Sequence, residues 1–388
     1  MIRTTPTVLL VLALAVTGPA GAADLIVSAN DGKMVRVDGV MTYPSPPVSD
    51  SLAVIDGAVF PPAVKYVLGG IAHTVQGPPQ AVAVTSDGRL AIVGAPSRYD
   101  YKAKKEIFGN YLQFVALDGT PRLIGQVALP GHPNGLAINR QGTLLLAASV
   151  DGSLYVLSIA GDKVQLTDRI KLSNGRLASV SFTHDGKAAL VSLRDEGSVA
   201  VLDVRDSKLT PTAQRISTGL APYGIDVSGD GRWGVVGNAG INGQNHPGNI
   251  ADADSVTLID LAHRPFRAVQ YLTVPSTPEG VALSPDGRWL AVQAMDGSNL
   301  PPGNPGRRRI GKVLLFALDA QGARLVDALP GGAASQGLVF TADSKTILVQ
   351  FDVERALAVY AVRNGRLADT GLRLKLPAGP VSIRAMPR

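Results

Sequence analysis

Pro278-Glu279-Gly280-Val281-Ala282-Leu283-Ser284-Pro285-Asp286-Gly287-Arg288-Trp289-Leu290 is the clearest copy of a phrase that returns along the whole chain. Pro222-Tyr223-Gly224-Ile225-Asp226-Val227, running into Asp230-Gly231-Arg232-Trp233, is a second copy. Pro79-Gln80-Ala81-Val82-Ala83-Val84, running into Asp87-Gly88-Arg89, is a third. Others start at Pro133-Asn134-Gly135-Leu136, Leu177-Ala178-Ser179-Val180 and Ser335-Gln336-Gly337-Leu338, and Pro380-Val381-Ser382-Ile383-Arg384 ends the chain. Residues 23–388 divide into seven such units of about 52 residues, a period that marks a radial or stacked repeat.

Each unit reads as four strands. An alternating apolar strand follows the opening phrase, and an Asp-Gly pair such as Asp286-Gly287 turns it into a second strand, since both residues tolerate the positive φ of tight hairpins. A third apolar strand follows, as in Ser198-Val199-Ala200-Val201-Leu202, and a more polar fourth, as in Ala268-Val269-Gln270-Tyr271-Leu272, faces water. The third residue of each phrase is small (Ala81, Gly135, Ser179, Gly224, Gly280, Gly337, Ser382), which lets seven innermost strands crowd one axis. The pattern predicts an all-β, seven-bladed β-propeller with four-stranded antiparallel blades. The chain opens at Asp24-Leu25-Ile26-Val27 with a second strand and ends with a first strand, so the C-terminal strand is expected to complete the first blade and close the ring.

Residues 1–22 read as an export signal: Arg3, an apolar run from Val8 to Val16, and the small-residue cleavage pattern Ala20-Gly21-Ala22. That run is short for a bilayer span, so the expected location is periplasmic or secreted, with the propeller over residues 23–388. With no cysteine, the chain has no disulfide, thiolate metal site or cysteine nucleophile. Its net charge of +6 is spread along the sequence, and the tight clusters Lys102-Lys104-Lys105 and Arg307-Arg308-Arg309 read as loop tips. A nucleic-acid partner is not expected, because no basic stripe or recognition motif is present.

The proline-x-glycine phrase, Ser284-Pro285-Asp286-Gly287-Arg288 and the later Val256-Thr257-Leu258-Ile259-Asp260 resemble the YVTN-type and lactonase-like seven-bladed propellers. The resemblance implies that fold over essentially the whole mature chain. It implies a range of functions, from lactonases and cycloisomerases to exported proteins without an assigned activity and, more distantly, propeller subunits of amine dehydrogenases. No catalytic motif of that family is matched residue by residue.

A site is expected on the face where inner strands start and second-to-third-strand loops emerge. Those loops are long in blades 1, 2, 5 and 6 (Asp31 to Asp50, Pro96 to Asn110, Asn238 to Ala253, Met295 to Ile310), and long loops on a rigid scaffold are where binding residues gather. They are expected to face each other as two walls of a groove. The ring of variable residues at the mouth is Gln80, Asn134, Ala178, Tyr223, Glu279, Gln336 and Val381. Glu279, its one charged member, is the candidate general base, with His132 near the same rim to polarise a substrate carbonyl. Gln80, Asn134, Tyr223, Gln336, Tyr99, Tyr101, Lys102, Asn238, His246 and Arg384 are the candidate ligand contacts. Asn249, Asp252 and Asp254, in an oxygen-rich loop, are candidate calcium ligands, although no standard calcium-loop motif is present. The expectation is a monomer that binds a small ligand or a protein partner at this mouth. The alternatives are a lactonase-like hydrolase opening a sugar or acyl lactone, and an accessory subunit of an exported redox enzyme.

Overall fold

The computed structural model describes residues 24–241 and 252–387. Among these every regular element is a strand, arranged as seven four-stranded antiparallel sheets and two small two-stranded hairpins. Six sheets follow chain order, and blade 1 is the exception. Its innermost strand is Gly379–Ala385, hydrogen-bonded to Leu25–Asp31, which in turn pairs with Ser51–Asp56. The register Ile26↔Ala385, Val27↔Arg384, Ser28↔Ile383 closes the ring as the sequence predicts.

The blades are apolar on both faces because each is sandwiched between neighbours. In blade 6, Leu290 and Val292 pack with Val235 and Leu258 of blade 5, while Ala291 packs with Ile347 and Val349 of blade 7. The period-2 alternation of one strand thus supplies two different interfaces. The small-residue ring is sterically required. A Cβ on Gly135 would lie 2.5 Å from the Cα of Ser179, and one on Gly224 would lie 2.6 Å from the carbonyl oxygen of Glu279.

In blades 2 to 7 the first hairpin is a longer loop than a two-residue turn. In blade 6, Ser284 and Trp289 close it through a backbone bond of 2.9 Å. Ser284 Oγ donates to Asp286 and accepts from the Trp289 N–H, while Gly287 takes φ +70°. Ser344 stands at this left-handed position in blade 7 with φ 58°, and its Oγ accepts the Asp286 N–H of blade 6 at 3.0 Å.

Candidate functional site

Most of the blade 5 loop lies outside the described residues, and the long loops of blades 1, 2 and 6 adjoin one another in sequence around the mouth. The blade 1 loop carries the hairpin Val35–Val37 and Val40–Thr42 and reaches in both directions. Toward blade 2, Tyr43 stacks on Tyr99 with centroids 3.8 Å apart, Tyr101 Oη donates to the Pro44 carbonyl at 2.6 Å, and Tyr43 Oη donates to Glu106 at 3.0 Å. Toward blade 6, Asp38 pairs with Arg307 at 3.0 Å and Gly39 abuts the Leu300 carbonyl. The loops therefore form one arc from blade 2 across blades 1 and 7 to blade 6. Blades 3 and 4 carry only tight turns.

A buried polar network fixes the root of this arc. Lys33 Nζ donates to Asp31 at 3.1 Å, to Asp50 at 3.0 Å and to the His73 carbonyl. His73 Nδ1 donates to the Gly94 carbonyl at 2.9 Å, so its Nε2 accepts from Ser382 Oγ at 2.8 Å. Burial lowers its pKa to about 4, which keeps the ring neutral and structural.

Under the arc lies a charged cluster drawn from four blades. Glu279, partly exposed at the rim, makes no side-chain hydrogen bond among the described residues. Burial pushes its pKa up to about 7, against the pull of Arg194 and Arg36. Arg194, 7% exposed, stacks its guanidinium 4.2 Å from the centre of the Tyr223 ring. Asp352, 5% exposed, is likewise pushed up to about 7 by burial, with Arg36 opposing and Asp31 and Glu354 adding to the rise. Arg36 acts on both acids and donates to the Gly39 carbonyl at 3.2 Å. Around them, buried polar atoms lack a protein partner: Arg36 Nε, both amide atoms of Gln293, Ser335 Oγ, Gln336 Oε1 and Glu354 Oε2. Such groups are ordinarily satisfied by protein, water or ligand, so this sector of the mouth is built to be wet or occupied.

Raised carboxylates carry a stability signature. An acid whose pKa is near 3.9 unfolded and about 7 folded costs nothing below pH 4; the cost grows between pH 4 and 7 and is complete above 7. Asp352→Asn is therefore expected to stabilise the fold by about 2–4 kcal/mol at pH 8 and to change it little at pH 4. Urea unfolding at the two pH values checks this, and an equal effect at both would contradict it.

The other candidates from the sequence are distributed as follows. Gln80 spans the channel: its amide donates to the Ile225 carbonyl at 2.8 Å, and its oxygen accepts from the Ile225 N–H at 2.9 Å and from Ser179 Oγ. It braces blade 2 against blades 4 and 5, and its amide is spent. Asn134 donates to the Leu177 carbonyl at 3.0 Å, leaving its buried oxygen without a partner, and Asn238 donates to Ser255 and Thr257. His132 stands in blade 3 with Nδ1 donating to the Gly109 carbonyl at 2.7 Å, and burial lowers its pKa. Its ring packs against Phe108 of the blade 2 loop, with centroids 5.0 Å apart. Tyr99 and Tyr101 are spent joining loops, and Lys102 is an exposed tip. Arg384 is a correction: it lies at the far mouth of the channel, paired with Asp226 at 3.3 Å. His246 and Asn249 fall outside the described residues. Asp252 is exposed, and Asp254 accepts the Thr277 N–H at 2.8 Å. Among the described residues no group of three His, Asp or Glu side chains is close enough to hold a metal ion.

Sequence reasoning missed Arg36, Arg194 and Asp352, and two of them left a signal. Arg194 and Asp352 directly follow the second strands Ala188–Leu193 and Thr346–Phe351, where blades 3, 5 and 6 have Val150, Ala239 and Met295. A charge at a repeat position that is otherwise apolar marks an inward-facing exception.

No family profile and no curated relative matches the chain. Solved structures with the same fold do. A candidate 6-phosphogluconolactonase from Bacteroides uniformis superposes with TM-score 0.66 at 15% identity, over 94% of this chain and 99% of that one. The periplasmic gluconolactonase of Pseudomonas aeruginosa gives TM-score 0.61 at 19% identity, over 94% and 99%. The hydrazine synthase of Kuenenia stuttgartiensis gives 0.56 at 19%, over 76% and 80%. The resemblance to lactonase-like seven-bladed propellers thus holds, as a shared fold, over essentially the whole described chain.

Proposed function

We propose that this chain is an exported hydrolase that opens a lactone ring at the arc-covered channel mouth. The observation that carries the reading is Glu279: a rim carboxylate with no side-chain hydrogen bond among the described residues, held near pKa 7, with Arg194 and Arg36 acting on it. A general base works best when its pKa lies near the working pH. Glu279 takes a proton from water as the water oxygen bonds to the lactone carbonyl carbon. The guanidinium groups of Arg194 and Arg36 stabilise the oxyanion that forms. The ring C–O bond then breaks, and the proton held by Glu279 passes to the departing alkoxide, giving a hydroxy acid. Tyr223, whose phenol burial keeps protonated, holds Arg194 in place through the stacked contact. Two structural neighbours carry lactonase names, which supports lactones as the substrate class, and the leader sequence supports action outside the cytoplasm.

The test is a pH-stat assay of the mature protein on glucono-1,5-lactone and on an N-acyl homoserine lactone. Turnover of either above the uncatalysed rate supports the reading. Folded protein that turns over neither overturns it and returns the mouth to the binding role expected first from the sequence.

A further inference from the structure

The opposite end of the channel holds a cavity of about 190 Å3 where the inner strands end. It lies on the face away from Glu279 and the arc, and no part of the proposed hydrolysis uses it. Its lining mixes apolar side chains, including Leu136, Phe182, Leu338 and Phe340, with polar ones such as Ser181, Thr183 and Ser228; its charged groups are Arg140, Arg384 and Asp226, with the His184 ring beside them. The charge does not cancel. Asp226 has one oxygen on the Leu283 N–H at 2.8 Å and the other on Arg384 at 3.3 Å, so that carboxylate is satisfied within the protein. Arg384 spends one nitrogen on that bond and is 19% exposed at its side chain. Arg140 points one nitrogen at the His184 ring, 2.7 Å from Nε2 and 3.3 Å from Nδ1, so a ring nitrogen of His184 accepts from it. Two guanidinium groups with donors to spare thus sit on a cup of mixed apolar and polar lining with one internally neutralised acid. Guanidinium groups recognise carboxylates through paired N–H bonds, and apolar walls take a hydrocarbon tail.

We propose that this far mouth is a second binding site, for a small amphipathic carboxylate. The size follows from the cavity: a water occupies about 30 Å3 of liquid, so the space equals roughly six waters and suits a ligand of about eight non-hydrogen atoms. The carboxylate bridges Arg384 and Arg140, and the tail lies toward Phe182 and Phe340.

Hexanoate is the probe and hexanol its uncharged control, both titrated calorimetrically into the mature protein. The proposal expects saturable hexanoate binding with a Kd of about 0.1–1 mM, and hexanol at least tenfold weaker. Arg140→Gln changes an exposed side chain outside the core. It is expected to weaken hexanoate about tenfold while leaving the melting temperature and lactone turnover unchanged. Arg384→Gln should weaken it further, and the Arg140 variant keeps the test valid where loss of the Asp226 partner impairs folding. Glu279→Gln should leave hexanoate binding intact, which separates this site from the hydrolytic one. Hexanoate that fails to saturate by about 10 mM, hexanol binding as tightly, or binding abolished by Glu279→Gln would each overturn the proposal.

Discussion

Replacing Glu279 with glutamine is expected to lower kcat/KM for lactone hydrolysis by about 10²–10⁴-fold, the range over which a positioned general base contributes. The substitution keeps the shape and removes the proton acceptor. It also removes a raised acid, so the variant should be no less stable than the parent above pH 7, because the parent carries the cost of an ionised, largely desolvated carboxylate there. A loss of activity with an unchanged or higher melting temperature separates chemistry from folding. If substrate binding is governed by Arg194 and Arg36, the loss falls on kcat and leaves KM within a few-fold. Activity equal to the parent at pH 8 would remove Glu279 from the reaction.

Deleting residues 379–388 is expected to abolish cooperative folding. The deletion takes away the innermost strand of blade 1, and with it the buried side chains Val381 and Ile383, the Ser382 bond to His73 and the Arg384 bond to Asp226. It also leaves Leu25–Asp31 as an unpaired edge facing the channel, a template for association. Each blade is buried on both faces by its neighbours, so an open ring exposes two interfaces at once. The expected outcome is aggregated protein or a melt without a sharp transition. A soluble monomer melting cooperatively within about 2 °C of the full chain would show that closure contributes little, since a change of that size is about 1–2 kcal/mol for a domain of this length.

Seven phrases with a small third residue were enough to read the blade count, the strand order and the closure. The reason is steric: Gly135, Gly224 and Gly280 sit where any Cβ meets the next strand, so the constraint is written at every period. Glu279 was legible as the charged exception in the mouth ring for the same reason. The remaining members of the site come from contacts between distant blades, which no spacing encodes. Arg36 reaches the mouth because Asp38 pairs with Arg307, 269 residues away. Gln80 looked like a ligand contact, yet its amide crosses the channel to the backbone of Ile225. Arg384 belongs to the opposite mouth because of the strand's rise. Four residues beyond Pro380, at about 3.3 Å each, carry it some 13 Å along the channel.

The pH dependence of kcat/KM for glucono-1,5-lactone between pH 5 and 9, corrected for the uncatalysed rate, tests the central claim most directly. With Glu279 as base, activity must rise with pH through a midpoint near 7 as the carboxyl ionises, and that limb must vanish in Glu279→Gln. A flat profile, or the same rising limb in the glutamine variant, would contradict the assignment of hydrolysis to Glu279.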